Sequence, residues 1–214
     1  MTHDAIPAWL HPIATLAKDI DPESLAPQFP YPPNDARDAA VLLLFGDGPT
    51  GHDILLTQRA TTMRSHPGQI AFPGGSVDPD DADAVAAALR EAKEEVGLRP
   101  ETVTTFGQLP PLWLPPGNFS VTTVLGYWTE PEPLYPVDLD EVAAVFRAPI
   151  ETLMDPVSRF TVVHPSGWRG PGFRVDSDVP LWGFTAGIVS RLFAEVGWEL
   201  DWDQSVEEPF TVIE

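Results

Sequence analysis

Residues Asp83 to Val96 constrain this chain most, because the helix they predict can bury only one face. Its apolar positions, Val85, Ala88, Leu89, Ala92 and Val96, fall on one narrow stripe at about 100° per residue. Asp80, Asp81 and Asp83 stand before or in its first turn, where carboxylates accept from orphan N–H groups and complement the helix dipole. The layer that this stripe covers is sought among the strands. Ala39 to Phe45 is a continuous apolar run of strand length, ended by the turn Gly46-Asp47-Gly48-Pro49. Asp53 to Gln58 predicts a second strand paired with the first. Further strands are expected at Val103–Leu109, Ser120–Trp128 and Ala143–Phe146, with a short helix at Ile150–Asp155. Arg159–Val163 and Phe173–Val175 predict a hairpin across Ser166 to Gly170, and Leu181–Val196 a second long helix. Before the first strand, Ala5–Lys18 reads as a short amphipathic helix and the proline-rich Pro22–Pro33 as an extended lead-in. Strands outnumber helices without alternating regularly with them. The expected class is therefore α+β, a mixed sheet sandwiched between helices in an α/β/α arrangement. One domain at 39–197 is expected, with an N-terminal arm at 1–38 and an acidic tail at 198–214.

Composition narrows the chemistry. The 214 residues include no cysteine, which excludes disulfides, thiolate metal sites and a cysteine nucleophile. Twelve basic against 32 acidic residues give a formal net charge of −20. That balance argues against non-specific nucleic-acid or anionic-membrane binding and suits divalent cations. An anionic substrate would need a local basic pocket or metal ions. No apolar run reaches the roughly 18 residues that a membrane span needs. Met1 to Ile20 lacks a basic region followed by an apolar one, so no secretory signal is expected, and a cytoplasmic location is.

The predicted helix also carries Glu91, Glu94 and Glu95, which fall within an arc of about 100° flanking the apolar stripe. A solvated acidic face is the ordinary reading of such a cluster. Two features weaken it here. Like charges at these spacings repel, and only Arg90, four residues before Glu94, and Lys93 relieve them locally. The helix also follows the tight turn Phe72-Pro73-Gly74-Gly75, which can bring a backbone carbonyl beside the carboxylates. Carboxylates plus a carbonyl form an oxygen-only site for Mg²⁺ or Mn²⁺, and two such ions can clamp a diphosphate and activate water.

Arg90-Glu91-Ala92-Lys93-Glu94-Glu95-Val96-Gly97-Leu98 resembles the R-E-U-x-E-E-x-G-U core of the Nudix box, where U is apolar. The front half departs from it. The general box has Gly, then Glu six residues on, then Arg eight after that; here Gly75 is followed by Asp81, and Arg90 comes nine later. One residue is extra and an Asp replaces the Glu, which leaves the role of Asp81 open. Upstream, Leu55-Leu56-Thr57-Gln58-Arg59-Ala60 through Arg64, Gly68 and Phe72-Pro73-Gly74-Gly75 is similar to the L-L-T-x-R-[SA]-x3-R-x3-G-x3-F-P-G-G pattern of the coenzyme A pyrophosphatase branch of that family.

The resemblance implies a metal-dependent hydrolase that splits coenzyme A or acyl-CoA at its diphosphate, giving 3′,5′-ADP and (acyl-)4′-phosphopantetheine. It assigns the cations to Glu91, Glu94, Glu95 and the Gly74 carbonyl, with Arg90 orienting a glutamate and Glu94, Glu95 or Glu141 serving in catalysis. Arg59, Arg64, Gly68, Phe72 and Gly75 are the expected substrate contacts. Independently, arginines just before the glycine turn of a very acidic chain suit phosphate groups, which guanidinium forks bind in pairs of hydrogen bonds. An internal ion pair is the plainer alternative for each. His66 reads as a solvated loop residue before it reads as a contact, and Trp182 as core before it reads as a stacking platform. The rival substrates are ADP-ribose, NADH or a dinucleoside polyphosphate; the rival class is a catalytically silent binding module. The resemblance also allows a homodimer.

Overall fold

The computed structural model describes residues 5–25, 31–63, 65–115 and 117–209. A short 3₁₀ turn leads into α1 (His11–Asp19), followed by α2 (Pro22–Leu25). The strands β1 (Arg37–Gly48) and β2 (Gly51–Arg59) form an antiparallel hairpin. Next come two short strands, β3 (Ile70–Ala71) and β4 (Gly74–Ser76), and the helix α3 (Ala84–Val96). Beyond it lie β5 (Val103–Gln108), β6 (Leu112–Leu114), β7 (Phe119–Trp128) and β8 (Val142–Pro149), then α4 (Ile150–Met154). The chain finishes with β9 (Arg159–Val163), β10 (Arg169–Phe173), α5 (Gly183–Glu195) and β11 (Glu207–Pro209).

The main sheet runs β3-β2-β1-β7-β5, with β4 on β1, β6 on β7 and β8 on β2. β1 and β7 pair in parallel, from Arg37 opposite Phe119 to Phe45 opposite Tyr127, and the other pairs are antiparallel. The sheet is thus mixed, as the irregular order of elements predicted. Strand alternation splits the core in two. Ala40, Leu42 and Leu44 face α3 together with Leu55, Val124 and Trp128. Leu43 and Phe45 face the other layer, with Ile54, Leu56, Leu125 and the α5 residues Ile188, Leu192 and Phe193. Leu10 and Ile13 are fully buried in that second layer, so the N-terminal segment is packed against the sheet.

On α3 the fully buried positions are Ala87, Ala88, Ala92, Glu95 and Val96, while Val85 and Leu89 sit at the margin. The stripe is therefore rotated toward the alanines. Their small side chains let the helix lie close to β1, and the same rotation draws Glu95 under cover. Asp83 is the N-cap, its carboxylate accepting from Ala86 N at 2.9 Å, and Gly97 closes the helix at φ +74°.

Several expectations need correction. Pro22–Leu25 is helical rather than extended, because the Asp21 carboxylate accepts from both Ser24 N and Ser24 Oγ; Pro27 and Pro30 lie outside the described residues. The second strand of the late hairpin is Arg169–Phe173, since the turn closes early: Gly167 N donates to His164 O and His164 N to Trp168 O. β6 runs inside the proline-rich 110–116 segment, where no strand was expected. Trp182 is half-buried and packs near His164 and Trp168 rather than in the core.

The acidic tail pairs with the domain. β11 adds in parallel to β9, and Glu207 and Glu208 form ion pairs with Arg169 and Arg174. Arg159, whose side chain is 0% exposed, meets Glu199 at 2.5 Å and Ser190 Oγ at 2.6 Å, and lies over the rings of Phe173 and Trp202. Removing one partner of a buried ion pair leaves a stranded charge. Glu199→Ala should therefore cost about 3 kcal/mol in urea unfolding, whereas Asp201→Ala, at an exposed position of the same tail, should cost less than about 0.5 kcal/mol.

Candidate active site

The site is built where β4 turns into α3. Gly74 pairs with Val41 of β1 so tightly that a Cβ on it would sit 2.3 Å from Ala40 O. A Cβ on Gly75 would sit 2.5 Å from the Glu91 carboxyl. Both glycines are required by close approach, the first to the strand and the second to the acidic cluster. The turn carries its N–H to Glu95: Gly74 N donates to Glu95 Oε2 at 3.1 Å. This contact uses the Gly74 nitrogen, which leaves its carbonyl, expected as a metal ligand, outside it.

Arg90 is the hub. Its Nε and Nη2 hold both oxygens of Asp81 at 2.9–3.3 Å. Its Nη1 donates to Glu91 Oε1 and Glu94 Oε2, each at 3.0 Å, and Nη2 also reaches Ser76 O at 3.0 Å. Asp81 is in turn tied into its loop, accepting from Asp78 N at 2.8 Å and donating its own N–H to Asp78 O. This answers the question left by the irregular spacing. The extra residue falls between Asp81 and Arg90, yet the shorter aspartate still anchors the arginine. The sequence signal was an acid at the expected distance from Gly75; the turn that delivers it was not legible.

Glu95 is 4% exposed and Glu91 half-buried, while Glu94 is exposed. Burial pushes the Glu95 carboxyl up to about 8; the Gly74 N–H and the Arg59 charge oppose that rise, and Glu91 and Glu141 add to it. Burial raises Glu91 as well, with Arg90 opposing and Glu94 and Glu141 contributing. The Arg90 guanidinium is held protonated more strongly than usual by its hydrogen bond to Asp81. Glu141 lies close enough for its charge to act on both Glu91 and Glu95. Ala60 N donates to Glu141 O at 2.8 Å, and Glu141 N to Asp138 O at 3.2 Å.

Arg59 ends β2 beside the cluster. Its backbone N–H is used by Gln69 O, but its Nε is buried without a hydrogen-bond partner among the described residues. Gly68 adopts φ +68° and its carbonyl accepts from Gln58 Nε2 at 3.4 Å. His66 is at φ +54° beside them; burial and the Arg59 charge lower its pKa. Arg64 lies outside the described residues. Phe72, expected as a substrate contact, is 3% exposed and packs in the hydrophobic core with Ile54 and Ile70, so it supports the loop from beneath.

Among the described residues, no three acidic or histidine side chains converge into a finished metal site. Glu91 and Glu94 are turned to Arg90. The donor chemistry nevertheless fits a hard cation. All the ligating atoms on offer are oxygens, and the buried Glu95 has one backbone donor against the charges of Glu91 and Glu141.

The NUDIX domain model matches residues 35–162, well over half of the chain. The chain belongs to the Nudix family. A Cronobacter sakazakii protein named as an uncharacterized Nudix hydrolase, NudL, is 42% identical over 179 residues, covering 81% of this chain and 90% of its own. The NudL of Escherichia coli K12 is 41% identical over the same span. In fold, the chain is similar to the Nudix hydrolase RenU of M. smegmatis (TM-score 0.54, 22% identity, 79% of this chain and 91% of that one). It is likewise similar to a MutT/nudix family protein from Enterococcus faecalis (TM-score 0.51, 17% identity, 86% and 73%). The Nudix chain is a hydrolase of the class that requires divalent metal ions and acts on small nucleotide derivatives.

Two outcomes follow from the geometry. The unfolded Glu95 ionises near 4.5 and the folded one near 8, so the metal-free protein should lose stability as pH rises between those values. Glu95→Gln should flatten that slope and raise stability by about 2 kcal/mol at pH 8, read by thermal melts in chelator. Asp81→Ala, which releases Arg90, should weaken Mn²⁺ binding about 10–100-fold by titration while leaving the fold intact by circular dichroism.

Proposed function

We propose that this Nudix hydrolase cleaves the diphosphate of coenzyme A or its acyl derivatives, releasing 3′,5′-ADP and (acyl-)4′-phosphopantetheine. The observation that carries the reading is that Arg59, whose buried Nε has no hydrogen-bond partner among the described residues, lies close enough for its charge to act on Glu95, which Glu91 and Glu141 also influence. An arginine that can bind phosphate oxygens beside glutamates that can hold cations suits a diphosphate with its metal ions. The similarity of Leu55–Gly75 to the coenzyme A pyrophosphatase pattern supports that substrate over other diphosphates.

Glu91, Glu95 and the Gly74 carbonyl would hold Mg²⁺ or Mn²⁺, with Glu94 joining when it leaves Arg90. The bound ions supply charge neutralisation on the diphosphate oxygens and acidify water. The chain's own groups do the rest. Arg59 binds a phosphoryl oxygen and Arg90 fixes the rotamers of Glu91 and Glu94. Glu141 takes the proton of the attacking water, whose oxygen joins phosphorus as the bridging P–O bond breaks. Gly75 keeps the wall beside Glu91 free of side chain.

Incubating the protein with coenzyme A and Mg²⁺ should yield the two named products by mass, and nothing in chelator. Glu91→Gln should lower kcat by about 10²–10³ with unchanged secondary structure. Faster turnover of ADP-ribose, NADH or a dinucleoside polyphosphate than of coenzyme A would overturn the substrate assignment.

A further inference from the structure

Glu141 belongs to a turn that is clamped at both ends. Ala60 N donates to Glu141 O at 2.8 Å, which ties the turn to the residue after Arg59. Val137 N donates to Glu95 O at 2.9 Å, which ties its other end to the last turn of α3. β8 then starts with Val142 opposite Arg59, and its register slips between the Gln58 and Arg59 pairs. Such slips re-aim side chains and are frequent beside active sites. The turn is thus held between the two elements that carry Glu95 and Arg59, and the charge of Glu141 acts on Glu91 and Glu95.

Within the clamp, Asp138 shapes the chain. Its Oδ1 accepts from Asp140 N at 2.9 Å. Its carbonyl accepts from Glu141 N at 3.2 Å and from Val142 N at 2.8 Å. Residues 138–141 are all exposed, so no core packing fixes the direction in which Glu141 leaves the backbone. A carboxylate that accepts from the N–H two residues on sets a turn locally. Asp140 is exposed in the same turn, and among the described residues its carboxylate accepts no hydrogen bond. A proton acceptor has to lie within hydrogen-bond reach of its water, and a displacement of about 1 Å can cost about 10²-fold in rate.

We infer that Asp138 is a positioning residue for Glu141: by accepting from Asp140 N, its carboxylate sets the turn that aims Glu141 at Glu91 and Glu95. The requirement is for an acceptor oxygen rather than for charge. This rests on the reading of Glu141 as proton acceptor given above, and it is independent of which diphosphate is cleaved.

The test is a double-variant cycle on kcat. The substrate is coenzyme A with Mg²⁺, or ADP-ribose, NADH or a dinucleoside polyphosphate if the unaltered protein turns over one of these instead. Asp138→Ala should lower kcat about tenfold and leave KM within about twofold. Asp138→Asn, whose amide oxygen accepts the same bond, should stay within about twofold of the unaltered protein, and so should Asp140→Ala. Glu141→Gln should lower kcat about 10²-fold or more. Adding Asp138→Ala to it should cost less than about a further twofold, because a residue that acts through Glu141 then has nothing left to aim. A turn that only supports the fold would give the same loss in both backgrounds. Circular dichroism and thermal melts check folding; should alanine leave the protein unfolded, Asp138→Ser, whose hydroxyl accepts more weakly, takes its place in the cycle. Equal losses in both backgrounds, a loss in Asp138→Asn as large as in Asp138→Ala, a change confined to KM, or an unaltered kcat in Asp138→Ala would overturn the positioning role and leave Glu141 as proton acceptor. Full activity of Glu141→Gln would overturn both, as would failure of the unaltered protein to hydrolyse any of these diphosphates. Turnover of another diphosphate in place of coenzyme A would overturn the substrate assignment alone.

Discussion

The site depends on a single guanidinium. Arg90 gathers Asp81, Glu91 and Glu94 and also reaches the Ser76 carbonyl, so one cation holds the β4 end, the following loop and the middle turns of α3 in register. Without it, carboxylates at i,i+3 and i,i+4 would repel along a helix that has only Lys93 nearby to offset them. The arginine neutralises too little to satisfy the cluster. Glu95 and Glu141 lie beyond its reach among the hydrogen bonds described, and Glu95 is left in a poorly solvated place with a raised proton affinity. A fold that concentrates negative charge and stops short of compensating it is built to accept cations from outside.

Burial of Glu95 follows from the alanines. Ala88 and Ala92 bring α3 close to the sheet, and Glu95 lies on the same side of the helix, one turn beyond Ala92 and two beyond Ala88. A helix with leucines there would stand off further and leave the carboxylate wet. Packing and function are thus fixed by the same side chains. The glycine turn works the same way, since Gly74 must clear β1 and Gly75 must clear Glu91.

Periodicity made the main helices, β1, β2 and the mixed sheet legible, because continuous apolar runs and a 3.6-residue stripe leave few alternatives. The acidic trio and Arg59 were legible as residues of the right chemistry. What could not be read was contact. Asp81 closes on Arg90 through a turn formed by Asp78, and the inserted residue hides that pairing from any fixed spacing. Phe72, inside a functional-looking segment, serves the core, since a motif does not say which of its residues faces a ligand. The short strands β3, β4, β6 and β11 exist only through pairing with a longer neighbour. Nothing local in two or three residues announces them.

Charge decides how an anion can be received. In a chain of net charge −20, long-range attraction cannot steer an anionic substrate to the site, so recognition has to come from short-range contacts. Arg59 stands close enough to Glu95 for its charge to oppose the rise in that carboxyl's proton affinity. The same neighbourhood therefore offers a cationic side chain and carboxylates that burial has left under-compensated, the two kinds of group that an anion and its accompanying cations require.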